Sequence, residues 1–253
     1  MKIGILADVH SNLEALEAVL KEIKKESPDI IIFLGDAIGY GANPNESCEI
    51  LRETGTYTLL GNHDAACTGK INMEWFSNHA KDALEWTIPR LTKPNLDWLH
   101  TMLWRVGHEG FTFCHGSPLE PEKFDYILDN RDAERAFLWM EEMGISVVFF
   151  GHSHVAVTFE ESLRDVRTVR DYTGISLNWE PEVRFQQGKH YLVSVGSVGQ
   201  PRDNDCRACY GILDTNKKVY ISKRVDYDVR TASEKILRAG LPEMLAERLF
   251  YGR

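Results

Sequence analysis

Short, almost wholly apolar runs alternate with amphipathic stretches over the first 155 residues. Runs of this kind predict strands that are buried on both faces, as in a sheet covered by helices on one side and further protein on the other. They occupy residues 3–7, 30–34, 57–60, 111–114 and 147–150. Between the first two, Leu13, Leu16, Leu20 and Ile23 recur at helical spacing. We therefore expect a layered α/β fold.

Further helices are expected at about 73–87, 95–104 and 131–143, and the first of these would place Trp75 as a core anchor. The second half begins with a polar stretch, 160–188, that predicts a loop or hairpin excursion. Strands follow at 191–195, 210–213 and 219–225, the last two as an antiparallel hairpin. A helical segment over 231–250 would start at a Thr231–Glu234 capping box. Because no linker divides the chain, residues 1–253 are expected to form a single domain.

The amino-acid composition disfavours several classes of protein and function. Hydrophobic residues at 43% and charged residues at 26% are typical of a globular protein rather than a disordered one. A net charge of −9 disfavours stable binding of long nucleic acid, so any phosphate chemistry needs local positive charge. The five cysteines without a signal peptide predict a cytoplasmic protein with no disulfide framework and no membrane association. Cys206 and Cys209 lack the second pair of a zinc site, so an incidental role is favoured.

Each of the five predicted N-terminal strands ends in residues of metal-ligand type. Because ligands bind outside the carboxyl ends of strands in open α/β sheets, these distant residues are expected to converge. The candidates are Asp8, His10, Asp36, Asn62, His115, His152 and His154, with His63 beside them. Any one of these histidines is most simply interpreted as a hydrogen-bonded core or surface residue. That interpretation does not explain why histidine or other ligand-type residues follow all five strands.

Imidazole and carboxylate without thiolate favour Mn, Fe, Co, Ni or Zn over Mg or Ca. Seven candidates exceed the needs of one ion, whereas two ions sharing a carboxylate would use them. We expect two divalent transition-metal ions, with Mn first. Two such ions and two carboxylates leave a formal charge of about +2, which supplies the positive charge that the composition lacks.

The pattern resembles the calcineurin-like metallophosphoesterase superfamily, and within it a prokaryotic subgroup labelled as phosphodiesterase or diadenosine-tetraphosphatase-like. The likeness is carried by five motifs in order and by two wider stretches. These are Asp8-x-His10, Gly35-Asp36, Gly61-Asn62-His63-Asp64, His115 and Gly151-His152-x-His154, with the stretches 35–41 and 199–203. The resemblance implies a four-layer α/β/β/α sandwich with two mixed sheets.

The resemblance also implies roles for individual residues. One metal would be held by Asp8, His10, Asp36 and His154, and the other by Asp36, Asn62, His115 and His152. Asp36 would bridge the two, and a hydroxide between them would attack phosphorus. His63 would face the substrate, where it would stabilise the transition state or protonate the leaving oxygen.

One departure separates the chain from the phosphoprotein phosphatases of the superfamily. Gly39 and Tyr40 stand where those enzymes carry an aspartate that orients the catalytic histidine and an arginine that grips the phosphate. Asp64 is the candidate replacement for the first, and Arg202 or Tyr40 for the second. Asn12 either fixes a neighbouring ligand by a hydrogen bond or caps the first helix. Asn12, Tyr40, Asp64 and Arg202 are thus the substrate-binding candidates.

The sequence predicts a dinuclear metal-dependent phosphoesterase that acts on small phosphodiesters, phosphomonoesters or nucleotides. Its partner is then a small phosphorylated substrate, and the oligomeric state is left open. The alternatives are a non-catalytic scaffold of the same fold, a phosphoprotein phosphatase and a nuclease. The complete ligand set disfavours the scaffold, Gly39 and Tyr40 weaken the phosphatase, and the acidic chain disfavours the nuclease.

Overall fold

A computed structural model describes residues 1–162, 165–171 and 182–253. The strands are β1 (Lys2–Leu6), β2 (Ile30–Phe33), β3 (Tyr57–Thr58), β4 (Arg105–His108), β5 (Phe111–Cys114), β6 (Val147–Phe150), β7 (Ala156–Ser162), β8 (Asp165–Asp171), β9 (Glu182–Arg184), β10 (His190–Val195), β11 (Ala208–Asp214) and β12 (Val219–Val225). The helices are α1 (Leu13–Lys25), α2 (Pro44–Thr54), α3 (Asn62–Cys67), α4 (Asn78–Thr87), α5 (Lys93–Thr101), α6 (Asn130–Met143), α7 (Val229–Arg238) and α8 (Glu243–Glu247). Short 3-10 turns occupy Ile88–Arg90, Pro121–Lys123 and Arg248–Phe250.

The strands form two six-stranded sheets, with the orders β3-β2-β1-β11-β12-β9 and β4-β5-β6-β10-β7-β8. Both sheets are mixed. In the first, β1 runs parallel to β2 and antiparallel to β11, and in the second, β10 runs parallel to β6 and antiparallel to β7. The parallel strands bring their carboxyl ends to a common edge, which is where the predicted ligands follow each strand.

Three apolar clusters show how the layers stack. The inner faces of the two sheets pack on each other through residues that include Ile5 of β1 and Phe149 of β6. The outer face of the first sheet packs on α1, and that of the second packs on α6. Along β6, Val147 and Phe149 point to the other sheet while Val148 and Phe150 point to α6, which explains why the run is continuously apolar. The predicted four-layer α/β/β/α sandwich is confirmed.

Two local expectations were wrong. The helix expected from residue 73 begins only at Asn78, where the Ser77 hydroxyl accepts a bond from the amide of Ala80. Trp75 therefore lies in the preceding turn and is 93% exposed, so it anchors no core. At the C-terminal segment, Asp228 rather than Thr231 caps α7, because its carboxylate accepts bonds from the amide and hydroxyl of Thr231.

The predicted 160–188 excursion supplies edge strands to both sheets. Residues 165–171 pair with β7, and residues 182–184 pair with β12. Residues 163–164 and 172–181 of the excursion lie outside the described residues. In the described ranges, no helix combines the length and the apolar character needed to cross a membrane.

Candidate metal centre

The seven candidate ligands meet at the shared edge of the two sheets. Six of them, together with His63, form three overlapping groups, in each of which all ligand atoms lie within 4.8 Å of one another: Asp8, His10 and His154; His10, Asp36 and His63; Asp36, His115 and His152. Asn62 joins the third group through its Oδ1, 3.2 Å from Nε2 of His115. All of these side chains are buried except that of Asn62, which is half-buried.

The backbone at this edge is held in an unusual conformation. Five candidate ligands adopt positive φ angles, from 48° to 64°, in the left-handed region that side chains other than glycine seldom occupy. They are Asp8, His10, Asp36, His152 and His154. Conformations of this kind cost free energy and cluster at functional sites. The surrounding sheets impose them here, and the result is that the five side chains point at one another.

The contact between His10 and His154 indicates a cation. Their Nε2 atoms lie 3.0 Å apart, yet each ring turns its Nδ1 to a backbone carbonyl, at 3.0 Å from Ile38 and 2.6 Å from Gln200. A carbonyl only accepts, so each neutral ring carries its proton on Nδ1 and presents a lone pair from Nε2. Burial lowers the pKa of both imidazoles well below the usual value, which disfavours a second proton. Two facing lone pairs are the arrangement that a metal ion resolves.

On the opposite side of the cluster, the ring nitrogens of His115 and His152 are arranged in a similar way. His115 donates from Nδ1 to the carbonyl of Leu34 at 2.9 Å, and its Nε2 lies 3.5 Å from Oδ2 of Asp36. Nε2 of His152 is buried and has no hydrogen-bond partner among the described residues. Oδ2 of Asp36 also lies 3.4 Å from Nε2 of His10, so one carboxylate oxygen faces both groups.

The pKa values show the same need for positive charge. Burial, with the charge of Asp36, raises the pKa of Asp8 to about 7 against the opposing effect of His115. Burial also acts to raise the pKa of Asp36, but His115 and His63 outweigh it and hold that pKa below its usual value. Burial alone would lower the pKa of His115, yet Asp36 and Asp8 raise it to about 9. The raised pKa of His115 shows that Asp8 and Asp36 favour a neighbouring positive charge, so the donor set fits divalent ions.

Asp64 and Asn12 act on the backbone around the cluster and do not line the cavity described below. The Asp64 carboxylate accepts bonds from the amides of Asp36 (2.7 Å), Ala37 (3.0 Å) and Gly61 (3.1 Å). It does not bond the His63 ring, so the expectation that it replaces the orienting carboxylate was wrong. Of the two roles expected for Asn12, the structure shows the helix cap, since its Oδ1 accepts a bond from the amide of Ala15, whereas its Nδ2 donates to the carbonyl of Gly199, which is not a candidate ligand.

His63 is held by rings instead of a carboxylate. Its centroid lies 4.6 Å from that of Tyr40, 4.7 Å from His10 and 5.1 Å from Phe76. Nδ1 of His63 is buried without a hydrogen-bond partner among the described residues. Gly39 packs against that nitrogen, and a Cβ added to Gly39 would lie 2.4 Å from it. The residue that stands in place of the phosphatase aspartate is therefore small because the His63 ring occupies the space.

Gly39→Ala is expected to lower kcat by about 10²-fold while metal content stays unchanged, because the added methyl group displaces His63 and the φ of +96° is strained for alanine. The measurements are steady-state kinetics and metal analysis of the purified variant. Gly107→Ala is the matched control, since no atom lies within 4 Å of its added Cβ. Equal activities of the two variants would show that the His63 position is not sensitive to this contact.

A cavity of about 880 Å³ opens over the cluster. Asp36, Asn62, His63, His152 and His154 line its floor, together with the predicted residues Tyr40 and Arg202. The sequence pattern did not indicate the other residues of the cavity wall. Its basic residues are Lys70, Lys123 and Arg248, and its aromatic residues are Trp75, Phe76, Phe124 and Tyr126. The polar Asn72 and Ser77 and the acidic Glu122 also line it. The Tyr126 ring stacks on His152 with centroids 3.8 Å apart, and no motif marked it. The lining carries local positive charge, as phosphate chemistry on this acidic chain requires.

A buried ion pair supports the loop that carries Arg202. Asp203 accepts bonds from both Nη atoms of Arg224, one of them at 3.1 Å, and also from the amide of Ala156. The Asp203 side chain is fully buried and that of Arg224 is 11% exposed. Asp203→Asn is therefore expected to reduce the free energy of unfolding by about 3 kcal/mol, because it leaves a buried guanidinium without its counter-charge.

Urea denaturation measures this loss. Asp97→Asn is the control, because Asp97 and Lys93 form an exposed pair whose removal is expected to cost about 1 kcal/mol or less. If both variants lost the same free energy of unfolding, the Asp203–Arg224 pair would not support the loop as described.

Comparisons with known proteins agree with this geometry. The sequence model of the calcineurin-like phosphoesterases matches residues 1–156. The chain is 35% identical to protein MJ0912 of Methanocaldococcus jannaschii over 255 residues, which cover 99% of this chain and 98% of that one. A crystal structure of a metallophosphoesterase from Sphaerobacter thermophilus superposes with a TM-score of 0.85 at 34% identity, covering 100% of this chain and 99% of the other. Protein PH1004 of Pyrococcus horikoshii OT3 shares the fold, with a TM-score of 0.77 at 19% identity over 100% and 98% of the two chains.

Proposed function

The chain belongs to the calcineurin-like phosphoesterase family, and from this membership we propose that it is a dinuclear metal-dependent hydrolase of small phosphodiesters, phosphomonoesters or nucleotides. The observation that carries the proposal is the pair of facing Nε2 lone pairs of His10 and His154, 3.0 Å apart, and His154 lines the open cavity. A cation bound there would accept both lone pairs, whereas without a cation the two lone pairs repel each other.

The geometry supports two ion positions that share Asp36. Asp8, His10 and His154 would hold one ion, and Asn62, His115 and His152 the other, with Asp36 facing both. Imidazole with carboxylate and amide oxygen suits Mn, and also Fe, Zn, Ni or Co. When bound, such ions supply activation of water near neutral pH and neutralisation of charge on the phosphoryl oxygens.

His63 acts on the substrate side of this centre. Its ring lines the cavity, and burial lowers the pKa of the imidazole to about 4, so the ring is neutral and keeps one N–H. That N–H is available to donate a hydrogen bond to a phosphoryl or leaving-group oxygen, because the described residues hold the ring by packing alone. His63 would therefore stabilise the transition state or help the leaving oxygen to depart.

Tyr40 and Arg202 take the place of the missing phosphate-gripping arginine. An Nη atom of Arg202 lies 3.5 Å from the Tyr40 hydroxyl, and both residues line the cavity. A guanidinium in this position neutralises charge on a bound phosphoryl group and orients it by paired hydrogen bonds.

The test is hydrolysis of p-nitrophenyl phosphate, bis-p-nitrophenyl phosphate and a nucleotide panel by the purified chain loaded with Mn²⁺. We expect turnover that disappears after chelation and returns when metal is restored. A chain that binds Mn²⁺ stoichiometrically yet hydrolyses none of these substrates would overturn the enzymatic proposal and favour the scaffold alternative.

A further inference from the structure

Two guanidinium groups on the cavity wall have no aspartate or glutamate partner among the described residues. Arg202 donates to the neutral oxygens of Gln200, at 3.0 Å, and Tyr40, and its Nε is buried without a partner among the described residues. Arg248, from the 3-10 turn after α8, donates from Nε to the backbone carbonyl of Arg253. Both side chains are half-buried, where an unpaired positive charge is unfavourable.

The two arginines are tied to one another through the backbone. The amide of Asn204, two residues after Arg202, donates to the carbonyl of Gly252 at 2.9 Å. The Asn204 side chain accepts a bond from Nε of Arg253 at 3.2 Å, and Arg253 in turn binds Arg248. Gly252 has a φ of +62°, and a Cβ there would lie 2.6 Å from Asp205. Residues 248–253 are thus locked against the 202–205 loop.

Arg202 is also fixed to the metal-binding edge itself. Its amide donates to the carbonyl of His154 at 3.0 Å, so its position follows that of a candidate ligand. Burial, followed by the charge of Arg202, lowers the pKa of Arg248 to about 10, and both guanidinium groups line the same cavity. An anion bound between them would offset this effect of charge.

Building on the proposed phosphoesterase function, we propose that Arg202 and Arg248 together bind the non-bridging oxygens of the phosphoryl group, and that this pair selects dianionic phosphomonoesters over monoanionic phosphodiesters. Both arginines come from the part of the chain after residue 156, Arg202 from the loop after β10 and Arg248 from the C-terminal 3-10 turn, and both line the cavity.

Charge decides the direction of this preference. Two guanidinium groups present fixed donors to two or more oxygens, and a monoester offers three non-bridging oxygens where a diester offers two. The Coulomb attraction of each fixed cation to a dianion is about twice its attraction to a monoanion at the same distance. Each cation therefore favours the dianionic monoester, and the second cation increases that preference.

The experiment compares kcat/KM for p-nitrophenyl phosphate and bis-p-nitrophenyl phosphate in the Mn²⁺-loaded wild type, Arg248→Gln and Arg248→Lys. The wild type is expected to prefer the monoester. Arg248→Gln should lose about 10- to 100-fold on the monoester and about 3-fold or less on the diester, because a charge-assisted hydrogen bond is removed. Arg248→Lys should recover part of the loss. Arg238→Gln is the control, since Arg238 lies on the same segment with its side chain 76% exposed.

Binding of inorganic phosphate, measured by calorimetry, gives a readout that does not depend on turnover. Phosphate affinity should fall in Arg248→Gln and remain unchanged in Arg238→Gln. Equal losses on both esters, unchanged phosphate affinity, or a wild type that prefers the diester would each overturn the inference. Absence of turnover in the wild type on every substrate would instead contradict the proposed function, so the two failures are distinguishable.

Discussion

Asp36→Asn is expected to abolish binding of the metal pair and to lower kcat/KM by about 10³-fold or more. The change keeps the size of the side chain and leaves an oxygen to accept the 2.9 Å bond from the amide of His63, but it removes the negative charge that faces both His10 and His115. Loss of hydrogen-bonding support around a ligand already costs about 10- to 100-fold in metal affinity, and loss of a shared ligand costs more. Neutralisation of phosphoryl charge by the ions lowers the activation free energy by several kcal/mol. Loss of that stabilisation corresponds to the expected rate loss.

Metal content after gel filtration and kcat/KM under saturating Mn²⁺ are the measurements for this variant. Asp97→Asn makes the same chemical change at an exposed carboxylate and should keep both at the wild-type level. If Asp36→Asn retained two ions per chain and normal activity, Asp36 would not be the shared ligand and the site would need another bridge.

His63→Ala is expected to keep the metals and to lower kcat by about 10²- to 10⁴-fold, as expected for a group that donates a proton or hydrogen bond in the transition state. The structure makes this separation testable, because the Nε2 atoms of His10 and His154 face each other without His63 and the ring of His63 lines the cavity. Metal analysis and kcat of the same preparation provide the two readings.

His79→Ala is the matched control for His63→Ala, because His79 lies exposed on α4. Unchanged kcat in His63→Ala would remove its proposed role in the reaction. Loss of metal together with activity would make His63 a ligand, as its grouping with His10 and Asp36 also allows.

The sequence predicted the layers because burial on both faces leaves a clear signal. The runs at 30–34 and 147–150 are apolar at every position since one face packs on the other sheet and the other face packs on helices. The hairpin of β11 and β12 was predicted for a similar reason, since two apolar strands flank a polar turn. These features are local, so they could be read without knowledge of the tertiary structure.

Elements that depend on tertiary contacts were missed. Helix α2 buries few apolar side chains and carries a proline at its start, so its pattern was too weak to predict. Strand β4 has no fully buried residue and, among the described strands, pairs with β5 alone, so its register comes from its neighbour. Trp75 fitted a helical pattern, but Ser77 begins the helix two residues later and leaves the indole exposed.

The residues of the candidate site also differ in whether the sequence predicts them. The cluster of candidate metal ligands was predictable, because histidine and aspartate at successive strand ends can be recognised from residue type and position. The wall residues were not predictable, since Tyr126 reaches the cavity from a loop and Arg248 from a 3-10 turn, and the positions of both depend on how distant segments pack. The ring packing around His63 and the backbone bonds of Asp64 likewise follow from three-dimensional contacts alone.

The central claim is that side chains from five strand ends hold two metal ions. Anomalous X-ray scattering from crystals of the chain grown with Mn²⁺ tests it most directly. The account predicts two peaks about 3.5–4 Å apart on either side of Asp36, one beside His10 and His154 and the other beside His115 and His152. Well-ordered crystals in excess Mn²⁺ that showed no peak at this cluster, or showed peaks only at other carboxylates, would contradict it.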